Sequence, residues 1–178
     1  MSAAGPSQGR LRERDEAGSE GRVRERGREA DARFTFPIRV YYEDTDAAGV
    51  VYYANYLRFM ERARTEWLES LGFPLAAFER EHGVAFVVHR AEVDFLQPGR
   101  LNDRLDVSVE ALDRGASRLR LFQQVLRAGA PLVQGRITLA CLEPLRWRPA
   151  RIPPSLARVL PVAGARRHPS ITATRRKA

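Results

Sequence analysis

Residues 41–71 read YYEDTDAAGVVYYANYLRFMERARTEWLESL, and the second half of this run decides the fold. Tyr56, Phe59, Met60, Ala63, Trp67 and Leu71 recur at the three- and four-residue intervals of one helix face, while Arg58, Glu61, Arg62, Glu66 and Glu69 fall mostly elsewhere. The spacing predicts a helix from about Ala54 to Leu71, closed by Gly72 and Pro74. At 1.5 Å per residue it is roughly 25 Å long, enough to cross a domain. A short helical piece, Leu75–Glu81, follows before His82 and Gly83.

Strand-like runs flank the helix. Phe34–Tyr42 is rich in Phe, Ile, Val and Tyr and reads as a strand. Val84–Phe95, Leu105–Leu112, Ser117–Arg127 and Pro131–Glu143 follow, separated by Gly, Pro and Asp turn signals. Short loops join the last three, so antiparallel neighbours are the economical topology. One long helix and about five strands make an α+β domain in which the sheet wraps the helix. Phe122 and Leu126 lie opposite Leu119, Leu121 and Val125 in strand parity, so apolar residues occupy both faces, and a homodimer would supply the second cover.

The 178-residue chain is 44% hydrophobic and 29% charged, enough for a packed core in one domain. Its net charge of +8 is unevenly spread. Residues 1–33 hold eight Arg against seven acids, residues 34–145 thirteen Arg against fifteen, and residues 146–178 eight Arg plus Lys177 against none. The foldable part is slightly acidic, which argues against a nucleic-acid-binding body. Residues 1–33 read as a disordered charged extension, residues 34–145 as the domain, and residues 146–178 as a basic, mostly extended tail with one short helix around Ser155–Leu160. The tail is a candidate contact for an anionic surface. A single cysteine, Cys141, leaves no disulfide framework or multi-cysteine zinc site. No run of about 18 apolar residues exists to span a membrane, and residues 1–33 lack the apolar core of a secretory signal, so a cytoplasmic location is expected.

Chemistry-bearing residues concentrate between the first strand and the long helix. Asp44 and Asp46, two apart, precede Gly49 and the helix start, which places a base or nucleophile beside free backbone N–H groups able to stabilise a carbonyl oxyanion. From spacing alone, the same run also reads as a capped turn whose aspartates bond local amides.

The run Tyr42–Leu57, continuing through Glu61, closely resembles the hotdog-fold acyl-CoA thioesterases, in the branch holding 4-hydroxybenzoyl-CoA thioesterase and the Tol-Pal-associated acyl-CoA thioesterases. Phe95–Asp103 resembles that branch's second recurring stretch, and the likeness covers about residues 34–143. It implies a helix wrapped by an antiparallel sheet, dimers that join two sheets, sites at the interface, and pairing of dimers into tetramers. It also implies that Asp46 is the catalytic carboxylate, as general base or nucleophile, and that the backbone N–H of Tyr53 polarises the thioester carbonyl. Gly49 would let the chain approach the substrate closely, Asn55 and Tyr56 would fix the turn, and Val50 and Tyr52 join them among the substrate-binding residues. Tol-Pal-associated members carry His where this chain has Tyr53, whereas the 4-hydroxybenzoyl type carries Tyr.

The remaining candidates have ordinary readings. Asp44 supports the turn; Glu61 and Glu66 belong to a solvated or interface helix face; Cys141 is a buried thiol. His89 alternates with Val87 and Ala91, as an interior or pocket-lining residue would, while His82 and His168 sit in a loop and the tail. Arg90 and the tail arginines are candidates for the coenzyme A phosphates. No metal or redox cofactor is expected, coenzyme A being part of the substrate. The expected partners are an acyl-CoA, a second or fourth copy of the chain, and an acyl carrier protein as alternative thioester donor. The rival reading is a non-hydrolytic acyl-thioester or partner-binding protein tethered by its tail. Dehydration of a hydroxyacyl thioester is disfavoured because residues 34–81 contain no His.

Overall fold

The helix predicted from periodicity forms over Tyr53–Ser70 (α1) and buries Tyr56, Phe59, Met60, Ala63, Trp67 and Leu68 on its core face. Its end is set by a Schellman closure: the Phe73 amide donates to Leu68 O at 3.0 Å and the Gly72 amide to Glu69 O at 2.9 Å, with Gly72 at φ +87°. The helix Leu75–His82 (α2) follows and stacks Phe78 against Phe86.

The strands are Phe34–Arg39 (β1), Ala85–Phe95 (β2), Arg104–Arg114 (β3), Arg118–Arg127 (β4), Ala130–Glu143 (β5) and the two-residue Arg148–Pro149 (β6). This computed structural model describes residues 33–160. Every pairing is antiparallel, in the order β1-β3-β4-β5-β2, with β6 added to β5. Pro37, which has no amide proton to donate, lies in β1, an edge strand. Alternation along the strands turns Leu105, Val107, Val109, Leu119, Leu121, Val125, Val133, Ile137, Leu139 and Cys141 into one core cluster with α1. The result is the helix-in-sheet hotdog fold that the sequence implied.

One polar network crosses this core. Gln123 Nε2 donates to Met60 O at 3.0 Å, and its Oε1 accepts from Arg64 Nη1 at 2.8 Å. Burial lowers the Arg64 pKa, a departure that the nearby Glu61 charge partly offsets.

Two expectations need correction. The packed body does not end at residue 145: β6 pairs with β5, the Ile152 amide donates to Ala116 O at 2.8 Å, and Ile152, Leu156 and Leu160 enter the core cluster. The short helix expected around Ser155–Leu160 forms over Pro154–Val159 (α3), and the four-residue spacing gives it an apolar stripe to bury, so residues 146–160 pack on the domain rather than extend from it. The second correction is a β-bulge between Val88 and Arg90, which puts Val88 and Ala91, rather than Val87 and Ala91, on the side facing α1. Of the extension expected over residues 1–33 only Arg33 is described, bonding Gln124 and Glu110 on the sheet; the rest, and residues 161–178, lie outside the described residues. Among the described residues no helix is long and apolar enough to cross a membrane.

Because Leu156 is fully buried, Leu156→Ala is expected to destabilise the protein by about 2–5 kcal/mol in urea unfolding. A loss of under about 0.5 kcal/mol, the range of a surface substitution, would return this segment to the status of an appendage.

Candidate active site

The acidic run before α1 forms a clamped turn. A 3₁₀ turn over Tyr42–Asp44 brings Asp44 Oδ2 to the Tyr41 amide at 2.9 Å. The Asp44 carbonyl then accepts from the Tyr52 amide at 2.9 Å and from Asn55 Nδ2 at 3.0 Å. Asp44 and Asn55 are therefore buried parts of the scaffold, holding the entry to α1.

Asp46 is placed differently. Its backbone closes a tight loop, with the Asp46 amide donating to Val50 O at 2.9 Å and the Gly49 amide to Asp46 O at 2.9 Å. Its Oδ1 accepts from the Ala48 amide at 2.8 Å, which leaves Oδ2 without a protein donor among the described residues. Gly49 stands at φ +72°, and a Cβ there would meet nothing within 4 Å. The left-handed turn demands this glycine, and a close approach to neighbouring atoms does not.

The stretch Phe95–Asp103 docks onto this loop through Gly99. Its amide donates to Tyr56 Oη at 2.7 Å and its carbonyl accepts from the Val51 amide at 2.9 Å. A Cβ at Gly99 would stand 3.1 Å from Val51 Cγ2 and 3.2 Å from Tyr56 Oη, so only glycine fits without displacement. Asp103 braces the far side, accepting from the Arg100 amide and from Arg127 Nη1, both at 2.8 Å.

Between the two loops lies a cavity of about 320 Å³ lined by Asp46, Val50, Val51, Tyr53, Tyr56, Phe95, Leu96, Gln97 and Pro98. The ring of Phe95 meets Tyr53 edge-on at 6.4 Å and Tyr56 at 5.9 Å, making an aromatic wall. Tyr53 is the first residue of α1, so its amide has no carbonyl one turn behind to accept it. Tyr52 packs on Tyr53 at 4.6 Å; the hydrogen bond and charge of Tyr53 raise its pKa most, followed by burial and the Asp46 charge. Burial raises the Tyr56 phenol, and the Gly99 amide partly opposes it.

Of the sequence candidates, Asp46, Val50, Tyr53 and Tyr56 thus meet in one cavity, Tyr52 and Gly49 border it, and Asn55 supports it from behind. His89 and Arg90 do not join them. The bulge places His89 at the surface, and both residues line a separate cavity of about 740 Å³ with Glu92, Asp113, Arg118, Arg120, Arg136 and Thr138. In the strand register Arg90, Glu92 and Arg136 point away from α1, so this cavity lies on the outer face of the sheet. Glu61 and Glu66 are exposed on α1, and Cys141 is fully buried with its thiol pushed up to about 11 by burial. The residues sequence reasoning missed are the wall Phe95–Pro98 and the keystone Gly99; their signal was the second motif itself.

Residues 40–160 match the thioesterase-like superfamily. The chain is 40% identical over 124 residues to the acyl-CoA thioester hydrolase YbgC of Escherichia coli, covering 69% of this chain and 92% of that one. To the acyl-CoA thioesterase YbgC of Haemophilus influenzae it is 39% identical, covering 69% and 90%. Among solved structures it is similar to the 1,4-dihydroxy-2-naphthoyl-CoA thioesterase Slr0204 of Synechocystis, with a TM-score of 0.67 and 26% identity over 72% of this chain and 95% of that one.

Two outcomes follow from the geometry. Tyr56→Phe leaves the buried Gly99 amide without its acceptor and is expected to cost about 1–3 kcal/mol at neutral pH. The raised Tyr56 pKa means that its contribution is complete below the ordinary value of 10.0 and is lost as pH rises through the folded value. Thermal melts across roughly pH 9–11 should therefore show a shallower alkaline decline for the Phe variant than for the parent. Cys141, buried and held as a thiol, should resist alkylation by iodoacetamide in the native protein at pH 8 and react once urea unfolds it.

Proposed function

This chain belongs to the thioesterase-like superfamily, and from that membership we propose that it hydrolyses an acyl-CoA thioester to the free acid and coenzyme A, with Asp46 as the catalytic carboxylate. The observation that carries the reading is one cavity holding the Asp46 side chain, the start of α1 and an apolar aromatic wall. The acyl group lies against Tyr56, Phe95 and Leu96, and its carbonyl oxygen faces the Tyr53 amide, where the helix dipole favours the negative charge of the tetrahedral intermediate. Asp46 Oδ2 either takes the proton of an attacking water or attacks the carbonyl carbon itself to form a mixed anhydride that water then opens. In both routes the carbon–sulfur bond breaks and coenzyme A leaves as a thiolate, which needs little acid assistance.

The active form in this proposal is a homodimer. Among the described residues β2 pairs only with β5, so its other edge is open to a second copy. The Asp46 cavity and the His89–Arg90 cavity lie apart in one protomer, and a partner along β2 brings a second set of both to the seam. The coenzyme A phosphates then take the arginine-rich outer cavity. Glu92 pairs with Arg90 at 2.7 Å and Asp113 pairs with Arg120, whereas Arg118 has no acid partner among the described residues.

Asp46→Asn is expected to lower kcat by about 10²–10⁴ across a panel of short aliphatic, long aliphatic and aromatic acyl-CoAs, with the melting temperature unchanged. Asp44→Asn should show the reverse, losing about 1–2 kcal/mol of stability while retaining turnover, because Asp44 caps Tyr41 rather than facing the cavity. Undiminished hydrolysis by Asp46→Asn would remove the assignment. Arg118→Ala is expected to raise KM for acyl-CoA roughly tenfold at constant kcat, the equivalent of one charge-assisted contact.

A further inference from the structure

The tip of the β5–β6 hairpin presents its apolar side chains to water. Leu142 pairs with Pro149 and Glu143 with Arg148, leaving residues 144–147 as the connecting turn. Leu145 is fully exposed and Trp147 is 71% exposed, although Ile152, Leu156 and Leu160, a few residues on, are all buried. Trp147 is also held in the left-handed region at φ +52°, with its amide donating to Glu143 O at 2.8 Å. A bulky residue rarely adopts that conformation, so the turn displays the indole at a conformational cost.

Cations flank the two apolar side chains along the chain. Arg146, Arg148 and Arg151 are exposed, and the nearest acid, Glu143, lies 3.6 Å from Arg146 in a solvated pair of little strength. Beyond Leu160 the sequence adds Arg166, Arg167, Arg175, Arg176 and Lys177 and no acid. Two side chains are far too little surface for a stable protein–protein interface. An exposed indole and isobutyl group in a segment of exposed arginines without a strong acid partner do fit the boundary of a lipid bilayer, where the apolar parts enter below the headgroups and the cations meet phosphates.

We propose that the β5–β6 hairpin tip is a docking site for anionic lipid surfaces, with Leu145 and Trp147 as the inserted residues and Arg146, Arg148 and Arg151 as the phosphate contacts. Within one protomer the site is remote from the Asp46 cavity. Val133, level with Phe95 at that cavity, and Leu142, at the hairpin, stand nine residues apart on β5, roughly 30 Å along an extended strand.

The chain has two tryptophans, and Trp67 is buried, so changes in indole emission on a surface report Trp147. With the whole 178-residue chain and vesicles of phosphatidylglycerol and phosphatidylcholine, Trp emission should shift to the blue and become shielded from iodide. Pure phosphatidylcholine should produce neither effect, and rising salt should release the protein. In co-sedimentation, the double variant Leu145→Ser and Trp147→Ser should bind the anionic vesicles roughly tenfold or more weakly, with melting temperature and turnover of a short-chain acyl-CoA unchanged. Binding undiminished in that variant would assign any attraction to the basic tail alone and overturn the proposal. So would absence of an emission shift on anionic vesicles. A fall in oligomer size caused by the double variant in vesicle-free solution would reassign the tip to contact between copies of the chain.

Discussion

The two hydrogen bonds of Gly99, from its amide to the Tyr56 hydroxyl and from the Val51 amide to its carbonyl, are the contacts on which the site depends, because together they join three parts of the chain that are distant in sequence. Tyr56 belongs to α1, whose position is set by burial against the sheet. Gly99 belongs to the loop after β2, and its carbonyl holds Val51 in the acidic turn. A buried phenol that accepts a buried amide leaves neither group unpaired, which makes this geometry far more favourable than one in which the loops drift apart. The cavity beside Asp46 is the space these constraints leave between them.

A second constraint acts along the helix. Arg64 is almost fully buried, yet its partner is the neutral amide of Gln123, which in turn holds the Met60 carbonyl. Placing a guanidinium in an apolar core opposes folding unless its donors are met, so the network has one arrangement that works and many that do not. It restricts how α1 rotates and slides over β4, and hence where the first amide of the helix points.

Much of this was legible in the chain before the structure. The period of Tyr56, Phe59, Met60, Ala63 and Trp67 located the helix to within a residue at each end, because amphipathic burial leaves a regular trace. Alternation and turn residues located all five long strands within two residues, except that β1 ends at Arg39 rather than Tyr42, where the chain turns into the 3₁₀ segment. The bulge at His89 left no trace, since one extra residue in a strand looks locally like any other and is visible only through the partner strand. The inward Arg64 was equally hidden: a cation on a helix reads as solvent-facing until a particular glutamine across the core is known. The short helix within residues 146–160 was legible, but its packing on the domain was not, because Pro and Arg outweigh three spaced aliphatics whose partners lie elsewhere in the chain.

The sequence by itself determined the elements, the acidic turn with its glycine, and the identity of the motif, all of which rest on neighbours a few residues apart. Only the tertiary structure decided which carboxylate faces the cavity. Asp44 and Asp46 are chemically alike and two residues apart, yet one is buried in bonds to the Tyr41 amide while the other keeps an oxygen without a donor beside the helix start. That difference comes from the 3₁₀ turn, the Asn55 clamp and the Gly99 loop acting together. A carboxylate's role follows from what already occupies its lone pairs, and those occupants arrive from distant parts of the chain.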